Sequence, residues 1–177
     1  MDAALNVTCA GGRPLALTDC LNFGNPERPE IAWELASAIE GISSAAEELG
    51  LPVVSGNVSL YNDTNGVSIP PTPVVGCVGL VDDLAASPSR WRRGDRLVFL
   101  LGEGAELVRF VWQNASRFTL AHDLSSGTGE TAIREAGEWS GVATGLECPS
   151  QPGVIVALAP GDQAPLDWPE SIELGTI

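Results

Sequence analysis

The chain has 177 residues, of which 44% are hydrophobic and 18% charged, a globular composition with room for one or two cores and not that of a disordered segment. A formal charge of −14 and a pI near 4.2 repel phosphodiester backbones and so exclude nucleic acid as a partner. All nine basic residues are arginine, which excludes a phosphate-loop lysine or a Schiff-base lysine.

No apolar run reaches the roughly 18 residues that span a bilayer. Met1-Asp2-Ala3-Ala4-Leu5 has neither the basic nor the apolar region of a secretory signal, so the expectation is a cytoplasmic protein with no membrane partner. Cys9, Cys20, Cys77 and Cys148 form no C-x-x-C pair and stand with a single histidine, His122; they read as buried small residues rather than zinc ligands.

In chain order, residues 14–18 are a short apolar run that predicts a strand ending at Asp19, followed by an irregular polar loop to Pro29. Ile31, Leu35, Ile39, Ile42, Ala46 and Leu49 recur at helical spacing, with Pro29 in the first turn and Gly50 and Pro52 as the stop. Residues 52–61 are rich in valine and predict a strand, broken at Ser55-Gly56-Asn57. Asn65-Gly66 predicts a hairpin turn, and residues 74–81 a buried strand. Residues 82–88 suggest a domain boundary. Beyond it the pattern predicts a strand over 95–101, a helix through Leu107, Val108, Val111, Trp112, Ala115 and Phe118, a glycine- and serine-rich loop over 121–130, a helix from about Thr131, and a final strand over 154–158. The tail from Ala159 carries a weak signal, and the five tryptophans read as core or interface.

Two polar, glycine-containing loops stand out: Asp19-Cys-Leu-Asn-Phe-Gly-Asn-Pro-Glu27 and Val54-Ser-Gly-Asn-Val-Ser-Leu-Tyr61. A carboxylate at Asp19 can bind a ribose hydroxyl, a base amino group or Mg²⁺ through water. Gly56 lets backbone approach a nucleotide closely. Asn57 offers a neutral oxygen of the kind Mg²⁺ takes, and Ser59, two residues on, points to the same face of a strand. With no lysine, an anionic ligand would be held by backbone N–H groups, arginine, a metal or another polypeptide. The same residues are ordinary turn formers, so a turn-only reading stands beside this one. His122-Asp123-Leu124-Ser125-Ser126-Gly127 reads as a helix-capping loop, and adjacent His122 and Asp123 make a poor catalytic triad. Arg90, Arg92 and Arg93 around Trp91 read as a solvated linker.

Three stretches carry a family resemblance: Ala4-Leu-Asn-Val-Thr-Cys-Ala-Gly-Gly-Arg-Pro-Leu-Ala-Leu-Thr-Asp-Cys-Leu-Asn-Phe-Gly-Asn-Pro-Glu27, Pro52-Val-Val-Ser-Gly-Asn-Val-Ser-Leu-Tyr61 and Pro71-Thr-Pro-Val-Val-Gly76. They resemble the large subunit of phosphoribosylformylglycinamidine synthase, densely from about residue 3 to 81, in the same order and spacing. Arg93-Gly-Asp-Arg-Leu-Val-Phe-Leu-Leu-Gly102 and Ala121-His-Asp-Leu-Ser-Ser-Gly-Thr-Gly-Glu130 resemble parts of the family's last domain, with Gly127-Thr128 where the family has a double glycine.

The resemblance implies an α+β fold. A partial aminoimidazole ribonucleotide synthetase-like domain over 1–81, a barrel-forming sheet with helices, precedes an abridged α/β domain over 82–177. It implies an ATP-dependent ligase of purine biosynthesis, in which an amide oxygen of formylglycinamide ribonucleotide is activated by phosphoryl transfer and replaced by ammonia from glutamine. By position it implies that Asp19 and Gly56 contact ATP, Asn57 ligates Mg²⁺ and Ser59 contacts substrate; no residue receives a catalytic role. The chain matches only a C-terminal-half portion of the family, without its catalytic histidines or ATP-binding lysine. The expectation is therefore a component inactive alone, supplying half an ATP–Mg²⁺–substrate site within a homodimer or a heteromer whose partner brings the other half, together with glutaminase and small accessory subunits. The alternative is a non-catalytic remnant or assembly protein that keeps the fold for pairing.

Overall fold

The computed structural model describes residues 1–124 and 127–177. In chain order the elements are α1 (Asp2–Cys9), β1 (Arg13–Asn22), α2 (Pro29–Leu49), β2 (Val53–Ser59), β3 (Asp63–Thr64), β4 (Val67–Ser68), β5 (Thr72–Leu80), β6 (Arg96–Leu101), α3 (Ala105–Asn114), β7 (Phe118–Asp123), α4 (Gly129–Ser140), β8 (Gly153–Leu158) and β9 (Ser171–Thr176), with single 3-10 turns at Leu84–Ala86 and Ala115–Arg117. They form two compact units, Pro14–Gly79 and the remainder, Met1–Arg13 with Leu80–Ile177. The fold is α+β, with open sheets.

In the unit Pro14–Gly79 the sheet order is β2-β1-β5. Strands β1 and β2 are parallel and joined through α2. The helix starts at Pro29, whose missing N–H costs nothing there, and stops at Gly50, where φ is 69°, with Leu51 N donating to Ala46 O (2.9 Å). Its stripe is narrower than the periodicity suggests: Ile31 and Ala46 are buried, Leu35 and Ile42 pack on the cluster of Leu21, Phe23 and Ile31, and Ile39 is exposed. The β3–β4 hairpin turns at Asn65 and Gly66, both at positive φ (52° and 77°), as the Asn-Gly step predicts.

Two strand expectations need correction here. No break occurs at Ser55-Gly56-Asn57; the register runs unbroken from Thr18↔Ser55 to Asn22↔Ser59, and the irregularity lies one step earlier, where the partner shifts from Val53 to Ser55. Nor is β5 buried. Val74, Val78 and Leu80 are exposed, because a valine-rich strand in a three-stranded sheet has no second layer over that face.

The other unit carries a four-stranded sheet in the order β7-β8-β6-β9, with β8 antiparallel to both β6 and β7. The near-continuous apolar runs of β6 and β8 are buried on both faces, with α3 and α4 contributing Leu107, Val108, Val111, Ala132, Ile133 and Ala136. Helix α1 packs on α3 and β7, burying Ala4, Leu5 and Cys9. Phe118 and residues 121–123 belong to β7 rather than to a helix and a loop, and β8 is not the last strand, since β9 pairs with β6. Trp91 is fully buried and donates from Nε1 to Val142 O (2.8 Å), while Arg90, Arg92 and Arg93 are exposed around it. Buried Asp95 is satisfied by Thr119 Oγ1 (2.6 Å) and Arg92 N (2.9 Å).

Arg117 clamps the segment after β8: Nε and Nη2 donate to the two oxygens of Asp162 (3.0 and 2.9 Å), and Nη2 also to Ala164 O (2.9 Å). The hydrogen bonds and charge of Arg117 hold the Asp162 carboxyl below its usual 3.8. A carboxyl depressed on folding contributes stability above the unfolded value and loses it as pH falls through the lower folded value. Arg117→Met is expected to destabilise by about 1 kcal/mol at pH 7. In urea titrations the gap between variant and wild type should persist at pH 5 and narrow at pH 3; a gap independent of pH would contradict the clamp.

Candidate functional site

The candidate site is built on β1 and β2, and their parallel register decides which residues can act together. Asp19 pairs with Gly56, Cys20 with Asn57, and Asn22 with Ser59. Asp19 does not end its strand; pairing carries β1 three residues further, to Asn22. Alternation then separates the four predicted residues into two pairs. Asp19 and Gly56 share a face with Leu21, which packs under α2. Asn57 and Ser59 share the opposite face with Thr18, Cys20 and Ser55, and Thr18 Oγ1 lies 2.9 Å from Ser55 Oγ.

The space above Gly56 is taken by Asp19 itself. A Cβ built on Gly56 would lie 2.5 Å from Asp19 Oδ1 and 2.9 Å from Oδ2, so the glycine is what lets this carboxylate lie across the neighbouring strand. Asn57 is exposed, and Ser59 is half-buried at the strand end.

Hydrogen bonds tie the segments beyond the two strand ends together. Phe23 N donates to Ser59 O (3.0 Å), Tyr61 N to Gly24 O (3.0 Å) and Asn62 N to Phe23 O (3.2 Å). The Asn62 side chain adds Nδ2 contacts of 3.0 Å to Phe23 O, to Ser59 O and to Ser59 Oγ. Tyr61, between them, sits at φ 58°, a backbone conformation that bulky residues rarely adopt. Arg28, at the N-cap of α2, is the only basic residue between Pro14 and Gly79; it reaches Ser68 Oγ (3.0 Å) and Asp63 Oδ2 (3.3 Å), joining the hairpin to the first loop.

The other sequence candidates lie elsewhere in chemistry. His122 stacks on Trp139 with ring centroids 4.8 Å apart, and its Nε2 lies 3.2 Å from Glu135 Oε2, so one ring nitrogen has a carboxylate partner. Ser125 and Ser126 of the same motif lie outside the described residues. Burial pushes the thiols of Cys9 and Cys77 up, and that of Cys148 to about 11, so these three are poor nucleophiles at neutral pH. Among the described residues no group of three or more His, Cys, Asp or Glu could hold a metal ion. No helix among them is long and apolar enough to cross a membrane.

Residues 1–81 match the family model of the AIR synthase related protein N-terminal domain. The matched segment is a little under half of the chain. It is 62% identical over 101 residues to phosphoribosylformylglycinamidine synthase subunit PurL of Thermomicrobium roseum, covering 57% of this chain and 14% of that protein. To PurL of Renibacterium salmoninarum it is 54% identical over 115 residues, 64% of this chain and 15% of that protein. The structure of T. maritima PurL complexed with AMPPCP superposes with a TM-score of 0.73 at 28% identity, covering 98% of this chain and 30% of that one. T. maritima PurL has also been solved with ATP, with ADP and with FGAR, and within PurLQS. The chain thus spans about a seventh of the length of these curated relatives.

Glycines at the site and in the core should respond differently to a methyl group. At Gly56 the obstruction is the end of one side chain, so Gly56→Ala is expected to cost about 1 kcal/mol or less while displacing Asp19. At Gly153 a Cβ would meet Leu100 O and the Phe99 ring, so Gly153→Ala is expected to cost about 3 kcal/mol. Chemical denaturation of both variants checks this, and equal losses would refute the geometry at Gly56.

Proposed function

We propose that this chain is a component of phosphoribosylformylglycinamidine synthase, acting in the ATP- and glutamine-dependent amidation of formylglycinamide ribonucleotide in purine biosynthesis. The observation that carries this reading is the β1–β2 register within the segment matched by the family model, which sets Asp19 over Gly56 on one face and Asn57 with Ser59 on the other. The complexes of T. maritima PurL with ATP, ADP and FGAR supply the ligand classes.

In this reading the Asp19 carboxylate contacts the nucleotide, Gly56 serves that contact by leaving room for the carboxylate across β2, and Asn57 offers one magnesium ligand. Ser59 contacts the ribonucleotide. The sheet itself separates nucleotide contacts from metal and substrate contacts. Asn57 and the nearby hydroxyls are hard, neutral oxygen donors that suit Mg²⁺ in kind but supply no charge. The magnesium carboxylates therefore come from outside the β1–β2 strand pair. What these residues do is bind and orient, the larger part of catalysis in phosphoryl transfer. The chain supplies one half of the site. Its partner is a second copy or a chain carrying the other half, in a cytoplasmic assembly of the kind named by PurLQS.

Calorimetry tests the site. Mg-ATP is titrated into the purified chain, alone and mixed with the chain that carries the other half. Binding is expected in at least the mixture, weakened about tenfold by Asn57→Ala. No binding in either preparation, or binding indifferent to Asn57→Ala, would defeat the proposal and favour a non-catalytic pairing protein.

The partner follows from exposed surface. Val53, Val54 and Val58 on β2 and Val74, Val78 and Leu80 on β5 are exposed on the two outer strands of a short open sheet, an arrangement that proteins normally cover. Light scattering across a concentration series should show self-association or a stable heteromer. A monomer that stays folded and soluble at high concentration counts against it.

A further inference from the structure

The strongest unassigned geometry in the molecule is the clasp that Asn62 makes around Ser59. Its amide orientation is fixed by chemistry: Nδ2 lies 3.0 Å from two carbonyl oxygens, Phe23 O and Ser59 O, and only the NH₂ end can face both. That orientation leaves both amide atoms on the Ser59 hydroxyl. Nδ2 is 3.0 Å from Ser59 Oγ, and Oδ1 accepts from it at 3.2 Å. With two hydrogens and three acceptors, one N–H is shared between two of them. The left-handed backbone of Tyr61 turns the chain so that Asn62 comes back over Ser59, and the bonds from Tyr61 N and Asn62 N to Gly24 O and Phe23 O hold that turn.

We infer that Asn62 is a positioning residue for ligand binding: it anchors the Ser59 oxygen and holds the hydroxyl proton ready to be given to an oxygen acceptor on the ribonucleotide. The anchoring contacts are the shorter ones and the proton's own bond to Oδ1 the longer, so an incoming phosphate or carbonyl oxygen competes for the proton without displacing the oxygen that carries it. A neutral donor presented this way suits a unit whose only cation, Arg28, is already engaged with Asp63 and Ser68. The inference rests on the reading of Ser59 as a ligand contact.

A double-mutant cycle tests it, with formylglycinamide ribonucleotide titrated by calorimetry into the preparation that binds Mg-ATP. Asn62→Asp keeps the shape and removes the N–H donors; it is expected to weaken binding about tenfold in the wild-type background and less than twofold in Ser59→Ala. A merely structural role would weaken binding equally in both backgrounds, and that result, or no weakening at all, would overturn the inference. Circular dichroism confirms folding, and Asn62→Ala, read in the same cycle, replaces Asn62→Asp if the carboxylate unfolds the loop. Failure of the wild type itself to bind the ribonucleotide refutes the reading of Ser59 and the inference with it, an outcome distinct from wild-type binding that the Asn62 variants leave untouched.

Discussion

The parallel pairing of β1 with β2 is the constraint on which the candidate site depends. Parallel neighbours need a long crossover, and α2, at 21 residues, spans about 30 Å and returns the chain to the start of the next strand. Where the helix stops sets where β2 begins, and where β2 begins sets the register. Sliding β2 by one residue would put Val58 in the place of Asn57 or Ser59 and set Ser55 or Asn57, each with a Cβ, against the Asp19 carboxylate in place of Gly56. The Gly50 cap is therefore part of the site's geometry although it touches none of its residues.

The two units differ in how much of their apolar surface they cover. In the unit with β6 and β8, every residue of β8 is buried, Trp91 and Asp95 have their polar atoms paired inside, and the chain end is held by Ile177 N on Asp95 O (2.9 Å). The unit Pro14–Gly79 covers one patch with α2 and leaves β2 and β5 exposed. Polar and apolar residues alternate on the exposed strand β2, with Ser55 and Asn57 beside Val54 and Val58, as expected of a strand whose neighbours come from outside the sheet.

Much of this was legible in the sequence where the signal is local. The spacing of Ile31, Leu35, Ile42 and Ala46, the Gly50 stop, the Asn65-Gly66 turn and the apolar run of β8 all match what formed. The shared face of Asn57 and Ser59 needed only the period of a strand. What stayed hidden depends on distant partners. At eight residues α1 is too short to show a helical period and is defined by α3 and β7, which lie far along the chain. Strand β9 has little apolar content and exists because β6 offers an edge, where Arg96 meets Glu173 at 2.8 Å. The exposure of β5 could not be read from valines that would equally suit a buried strand. Asp19 opposite Gly56 is a matter of register, set by the crossover and not by either loop. Asn62 was masked by its turn-forming neighbours, and only its bonds distinguish it from them.

Electrostatics ties the site to the exposed sheet. Around Asn57 and Ser59 the unit offers hydroxyls and amides, each worth about 1 kcal/mol as a neutral hydrogen bond, against a chain of net charge −14. Arg28, engaged with Asp63 and Ser68, is a single charge and cannot by itself offset a triphosphate. Neutral groups of this sort can fix where a phosphate or carbonyl oxygen lies, but they do not neutralise a triphosphate. Positive charge for such a ligand must therefore come from beyond these residues, and a metal or whatever covers β2 and β5 can bring it. In the proposed reading, covering the sheet and completing the site are then the same event: the surface that buries the exposed valines also brings the charge that the residues between Pro14 and Gly79 lack.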